Sequence, residues 1–191
     1  KNSSRFSSGS LITVLGLLIS GPFAVGVHAS PSNAKPNILL ILADDLSWFD
    51  LGCYGSEDVR TPNIDQLARE GMTFTHAYTA TAMCSPTRQQ LYTGLFPARS
   101  GAMANHSSVK PGTRSMVHHL SQLGYEVSLS GKEHFGPPES FPFERKEGLS
   151  IPSGPEPFCL VHASKKPHDG WPDARGYDPS ALTVLPFLVD N

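Results

Sequence analysis

From Lys35 onward, short apolar stretches alternate with polar loops. Each apolar stretch predicts an element. PNILLILADD starts with a proline, runs apolar and branched from Asn37 to Ala43, and stops at two carboxylates; the pattern predicts a buried strand of the parallel type. Thr61-Pro62 opens a helix to about Glu70 with Ile64, Leu67 and Ala68 on one face, and Gly71 closes it. MTFTHAYT alternates like a short strand that delivers the chain to Cys84. The segment Cys84-Ser85-Pro86-Thr87-Arg88 and the residues after it form a helix with proline in the first turn and Gly94 at the end. Ser115 caps a further helix carrying Met116, Leu120 and Leu123, which Gly124 ends. Tyr125 to Leu129 and Pro157 to Ala163 read as strands, and the Pro/Gly/Ser-rich stretch from Gly136 to Pro157 as an irregular excursion tacked down by Phe141 and Phe143.

Composition narrows this picture. Seventeen prolines and 17 glycines in 191 residues suggest an α/β or mixed domain with long loops rather than a helical bundle. A net charge of -2 points to neither nucleic acid nor an anionic membrane as partner, so any ligand must be argued from local charge. Lys1 and Arg5 precede an apolar run from Leu11 to Ile19, a Gly21-Pro22 break and the small-residue stretch AVGVHAS, which reads as a secretory signal peptide over residues 1–29. The run is too short and interrupted for a stable membrane anchor. Export implies an oxidising compartment, where three cysteines leave at least one unpaired; Cys53 and Cys159 are either buried singles or a pair.

The candidate chemistry gathers at the predicted strand ends. Asp44 and Asp45 fall at the carboxyl end of their strand, where open α/β sheets bind ligands. They are either a solvated turn or oxygen ligands for a hard divalent cation such as calcium. Cys84 sits at a helix mouth whose free N–H groups favour anions, and Arg88, four residues on, is placed to pair with an oxyanion. Taken alone, this is an ordinary packed thiol and a surface cation. Lys132 and His134 are separated by one residue in an extended segment and point to one side, and His168 reaches a third strand-end loop. His106 is either an exposed loop histidine or part of a substrate pocket.

Together these pieces resemble the N-terminal part of the sulfatase family, in the alkaline-phosphatase-like superfamily. The resemblance spans Lys35 to Asn191 and rests on PNILLILADD, on C-x-P-x-R as Cys84-Ser85-Pro86-Thr87-Arg88 with LYTG after it, on Gly131-Lys132-x-His134, and on Pro167-His168. GKEHFGP, the PFxF after it, and YDPSALTVLPFLVDN look most like the heparan N-sulfatase branch. The resemblance implies a mostly parallel sheet flanked by helices, incomplete in this chain, with residues 30–191 as the first part of a longer catalytic domain. It implies that a separate maturation enzyme oxidises Cys84 to Cα-formylglycine, and that calcium is held by Asp44, Asp45 and position 84. Arg88 would steady the formylglycine, Lys132 would neutralise sulfate charge, His134 would take a proton, and His168 would contact the sulfate or the leaving group as general acid, with His106 facing substrate. The family's later Asp-Asn-Gly metal segment has no counterpart here: Asp190-Asn191 stands in the wrong context. The implied function is hydrolysis of a sulfate ester or N-sulfate on an exported protein's sulfated saccharide substrate, in a periplasmic, extracellular or lysosomal-type compartment. The alternatives are a phosphonate or phosphate monoester hydrolase of the same superfamily, or an inactive fragment that binds sulfated glycans.

Overall fold

The computed structural model describes Lys35–His168 together with Asp178 and Ser180. The signal peptide expected at residues 1–29 and most of the stretch YDPSALTVLPFLVDN lie outside these residues. Four strands form one parallel sheet in the order β1-β4-β2-β3, with β1 at Ile38–Asp44, β2 at Glu126–Gly131, β3 at Glu144–Lys146 and β4 at Phe158–Pro167. The helices are α1 (Pro62–Glu70), α2 (Cys84–Thr93), α3 (Pro97–Ser100) and α4 (Met116–Gln122). All four helices lie in the connection from β1 to β2, while irregular loops carry the chain from β2 to β3 and from β3 to β4.

The expectation of a fully buried first strand is corrected. Among the described residues β1 pairs only with β4 and lies at the sheet edge, so its side chains alternate: Leu39 and Ile41 are 46% and 60% exposed, while Ile38, Leu40 and Leu42 pack on the core. β2 and β4, with neighbours on both sides, bury Val127, Leu129, Cys159, Leu160 and Val161. MTFTHAYT is also corrected, because it forms no strand. No described strand lies beside it to take its backbone hydrogen bonds, and an isolated alternation does not hold an extended segment in place. α1 forms over Pro62–Glu70, but its Ile64 and Leu67 stay exposed among the described residues. Among those residues no helix is long and apolar enough to cross a membrane.

Two features place the site. Tyr92 of α2 packs against Phe135, Phe141 and Phe143, with ring centroids 5.6, 6.3 and 5.2 Å away, so the excursion after β2 is clamped onto α2 by an aromatic cluster. Phe141 and Phe143 are buried, as expected of residues that tack the excursion down. All three cysteines are free thiols, Cys159 being buried in β4. At the end of β2, Gly131 has φ +89°, and a Cβ there would sit 2.1 Å from the backbone oxygen of Ala163. That oxygen accepts the Lys132 N–H at 2.8 Å, so the close approach fixes where the Lys132 loop leaves the sheet.

Gly131→Ala is therefore expected to destabilise the chain by on the order of 3 kcal/mol, since both the left-handed φ and the clash with backbone must be relieved. Urea unfolding measures it, and a loss under about 1 kcal/mol would contradict this account of the β2 exit.

Candidate active site

β1 carries the first two site residues to the edge of the sheet. Its pairing with β4 shifts register between Leu42 and Asp44, placing Asp44 opposite Pro167. The Asp44 carbonyl accepts the His168 N–H at 3.0 Å, so one irregularity brings Asp44, Asp45 and His168 together. Asp45 turns into the left-handed region at φ 62°, which frees its carboxylate to face outward, 3.6 Å from His168 Nε2. α2 supplies the next two residues. Cys84 is its first residue, and Met83 in extended conformation precedes it without a side-chain cap. Its leading N–H groups thus remain open beside a half-buried sulfur.

The centre of the site is an ion triad. Arg88 and Asp44 are 5% and 4% exposed, with Arg88 Nη2 donating to Asp44 Oδ1 at 3.2 Å. Lys132 Nζ donates to the other carboxyl oxygen, and Arg88 Nη1 donates to the Lys132 carbonyl at 3.2 Å. Burial is the largest influence on the Asp44 carboxyl and would raise its pKa. The hydrogen bonds from Lys132 and Arg88 and the charges of both outweigh it, holding the group below its ordinary value. The expected Arg88 pairing with an oxyanion is thus met first by a protein carboxylate.

His134 stands at the far side of the Lys132 loop. Its Nε2 lies 2.8 Å from His106 Nδ1, and the two rings are 4.6 Å apart. Both residues have positive φ, 53° for His134 and 62° for His106, an uncommon conformation for non-glycine residues that costs about 1–3 kcal/mol each. The loop is therefore not the plainly extended segment expected from Gly131 to His134. Lys132 turns to Asp44 while His134 turns to His106. Burial, and after it the charge of His106, then of Lys132 and Arg88, lower the His134 pKa, against a smaller opposing influence of Asp44. His134 is therefore mainly neutral near pH 7. Its Nδ1, and Arg88 Nε, are buried and have no hydrogen-bond partner among the described residues.

A cleft of about 300 Å³ is lined by Asp44, Asp45, Thr79, Cys84, Thr87 and Arg88, among others, so the two candidate acids and the candidate modification site face one space. Hard carboxylate oxygens there suit calcium in donor type. Among the described residues, however, no group of three or more His, Cys, Asp and Glu side chains is gathered as a metal set. Asp44 and Asp45 would be a partial set against the six to eight oxygens calcium takes. Sequence reasoning did not single out Gln89, whose fully buried amide sits one residue beyond Arg88. Its spacing of four from buried Ser85 and three from buried Tyr92 marks it as part of the inner face of α2.

The sequence profile described as Sulfatase matches residues 36–154. This chain belongs to the sulfatase family. An ulvan-active sulfatase of Formosa agariphila is 37% identical over 177 residues, covering 83% of this chain and 36% of that protein. The N-acetylgalactosamine-6-sulfatase of Canis lupus familiaris is 38% identical over 126 residues, covering 59% of this chain and 24% of that protein. The sulfatase chain is thus similar to about a third or less of these curated relatives' length. A protein solved in complex with its substrate D-glucosamine-2-N,6-O-disulfate superposes with a TM-score of 0.62 at 24% identity, over 72% of this chain and 36% of that one, which shows the shared alkaline-phosphatase-like α/β fold.

Replacing Asp44 by Asn leaves two cations without their buried counter-charge, and is expected to cost about 3 kcal/mol at pH 7. Because the folded pKa is lowered, the stability contributed by this carboxyl is full above the unfolded value near 3.9 and is lost as pH falls through the folded value. The difference between wild type and D44N should therefore shrink by pH 3. Urea titrations at both pH values test this, and an equal difference at the two would contradict it.

Proposed function

We propose that this sulfatase-family chain carries part of the active site of an exported hydrolase that removes sulfate from a saccharide, as a sulfate ester or an N-sulfate. The observation that carries the reading is Cys84, the first residue of α2, facing the same cleft as Asp44, Asp45 and Arg88. The names of the ulvan-active and N-acetylgalactosamine-6-sulfatase relatives support the substrate class. Matured by a separate enzyme to formylglycine, position 84 would supply a hydrated aldehyde: one hydroxyl would attack sulfur as the substrate S–O or S–N bond breaks and the alcohol or amine leaves protonated, and the other would then lose its proton and re-form the aldehyde, breaking the C–O bond to release sulfate.

Charge supports the metal. The charged side chains lining the cleft, Asp44, Asp45 and Arg88, carry one net negative charge, which Lys132, paired with Asp44 behind the lining, only cancels, an unhelpful field for a sulfate ester. Calcium held by Asp44, Asp45 and position 84 would make it positive and polarise the sulfate oxygens. Arg88 is fixed through its two terminal nitrogens by Asp44 and the Lys132 carbonyl, and on the wall of the cleft that Cys84 also lines it would steady an oxygen at position 84. Lys132 places a second cation where charge on transferring sulfate shifts. His134, neutral and with Nδ1 unpartnered among the described residues, is the proton acceptor. His106 holds that ring through its own Nδ1 and faces the substrate side. His168, held at Asp44 and Asp45, serves as donor to the leaving group.

After coexpression with a competent maturation enzyme, the tryptic peptide containing residue 84 is expected to carry an aldehyde by mass spectrometry; an unmodified thiol would sink the reading. In the matured protein Lys132→Ala should lower aryl sulfate turnover by about 10²–10³-fold. A faster rate on aryl phosphate than on aryl sulfate would transfer the assignment to phosphate or phosphonate monoesters.

A further inference from the structure

Gln89 is 0% exposed, yet every polar atom of its side chain is occupied. Its Nε2 donates to the Ser107 carbonyl at 2.8 Å, to Ser85 Oγ at 3.0 Å and to the Ser85 carbonyl at 3.3 Å. Its Oε1 accepts from the N–H of Val109 at 3.1 Å and of Gly136 at 3.4 Å. These contacts reach two loops. Ser107 directly follows His106, and Gly136 lies two residues after His134. The Val109 N–H also donates to the Gly136 carbonyl at 2.9 Å, so the loops are tied to each other as well as to α2.

The pair this network holds is under strain. His106 and His134 both adopt left-handed backbone, and neither has a glycine's freedom to do so. Such conformations persist only where the surroundings over-determine them. His106 is itself exposed, so packing does not supply that constraint on its side. A buried Gln amide does, because it offers two donors and a two-lone-pair acceptor on one rigid plane, enough to engage both loops at once. An apolar residue of similar size would remove the Gly136 N–H's bond to Gln89 and leave the Ser107 carbonyl with only the longer bond from Ser85 Oγ at 3.4 Å.

We propose that Gln89 is a positioning residue, which sets the His106–His134 pair against the helix that carries position 84 and Arg88. This rests on the reading of His134 as the proton acceptor, and it adds the reason that acceptor keeps its place. Gln89 touches neither histidine ring among the hydrogen bonds described, so its effect is transmitted through the two loop backbones.

The test is an NMR titration of the histidine rings in the full 191-residue chain, wild type against Gln89→Ala. The groups that bear on His134 are His106, Lys132, Arg88 and Asp44. His162, hydrogen-bonded to Ser130 Oγ at 2.8 Å on the sheet, serves as internal control. Loosening the loops separates and hydrates the pair, so the His134 midpoint is expected to rise by about half a pH unit or more, with His106 shifting too and His162 unchanged. If Q89A does not fold, Gln89→Met fills much of the same space without donor, acceptor or charge, and the same rise is expected. Wild-type midpoints for His106 and His134 in a folded variant would overturn the proposal, and so would a shift of His162 as large as theirs. The readout needs no sulfate turnover. Unmoved histidines reject the positioning role and leave the sulfatase reading intact, whereas an unmodified thiol at Cys84 does the reverse.

Discussion

A buried carboxylate that cannot stand alone holds this structure's site together. Asp44 is removed from water at the end of β1, and two cations from distant parts of the chain make its ionised form tolerable. Arg88 comes from the second turn of α2 and Lys132 from the exit of β2, so one charge requirement ties three segments to a single point. Cys84 is carried to the cleft because Arg88 is. The dependence runs both ways, since Arg88 at this burial also needs Asp44.

Around that point the backbone is held in conformations it would not choose locally. Asp45, His106 and His134 all lie in the left-handed region, and all three are candidate site residues. The stabilisation that offsets this strain comes from ordinary sources at short range. The aromatic cluster of Tyr92, Phe135, Phe141 and Phe143 fixes the excursion to α2. The amide of Gln89 fixes the two histidine loops, and the approach of Gly131 to Ala163 fixes where β2 ends. The candidate site therefore depends on residues that take no part in its proposed chemistry.

Much of this was legible beforehand. α1, α2 and α4 begin and end within a residue or two of where proline, serine and glycine signals put them, because helix ends are decided by local backbone chemistry. The strands of the sheet's interior were legible from their apolar runs. β1 was legible as a strand but not as the edge of the sheet that the described residues form, since its sequence is as apolar as an interior strand and only pairing decides which side lacks a neighbour. MTFTHAYT shows the converse: alternation along the chain does not make a strand without a partner to receive its hydrogen bonds.

The same division applies to the site. Sequence by itself determined the residue types and the motif spacings, and with them the family, because Cys84 to Arg88, Gly131 to His134 and the Asp44-Asp45 pair are short-range patterns. Tertiary structure alone decided that Arg88 and Lys132 meet on Asp44, that His106 is joined to His134, and that Gln89 holds both loops. Those contacts link residues 18 to 88 positions apart. No local propensity encodes them; they follow from how the sheet register and the packing of α2 bring the strand ends and loops together.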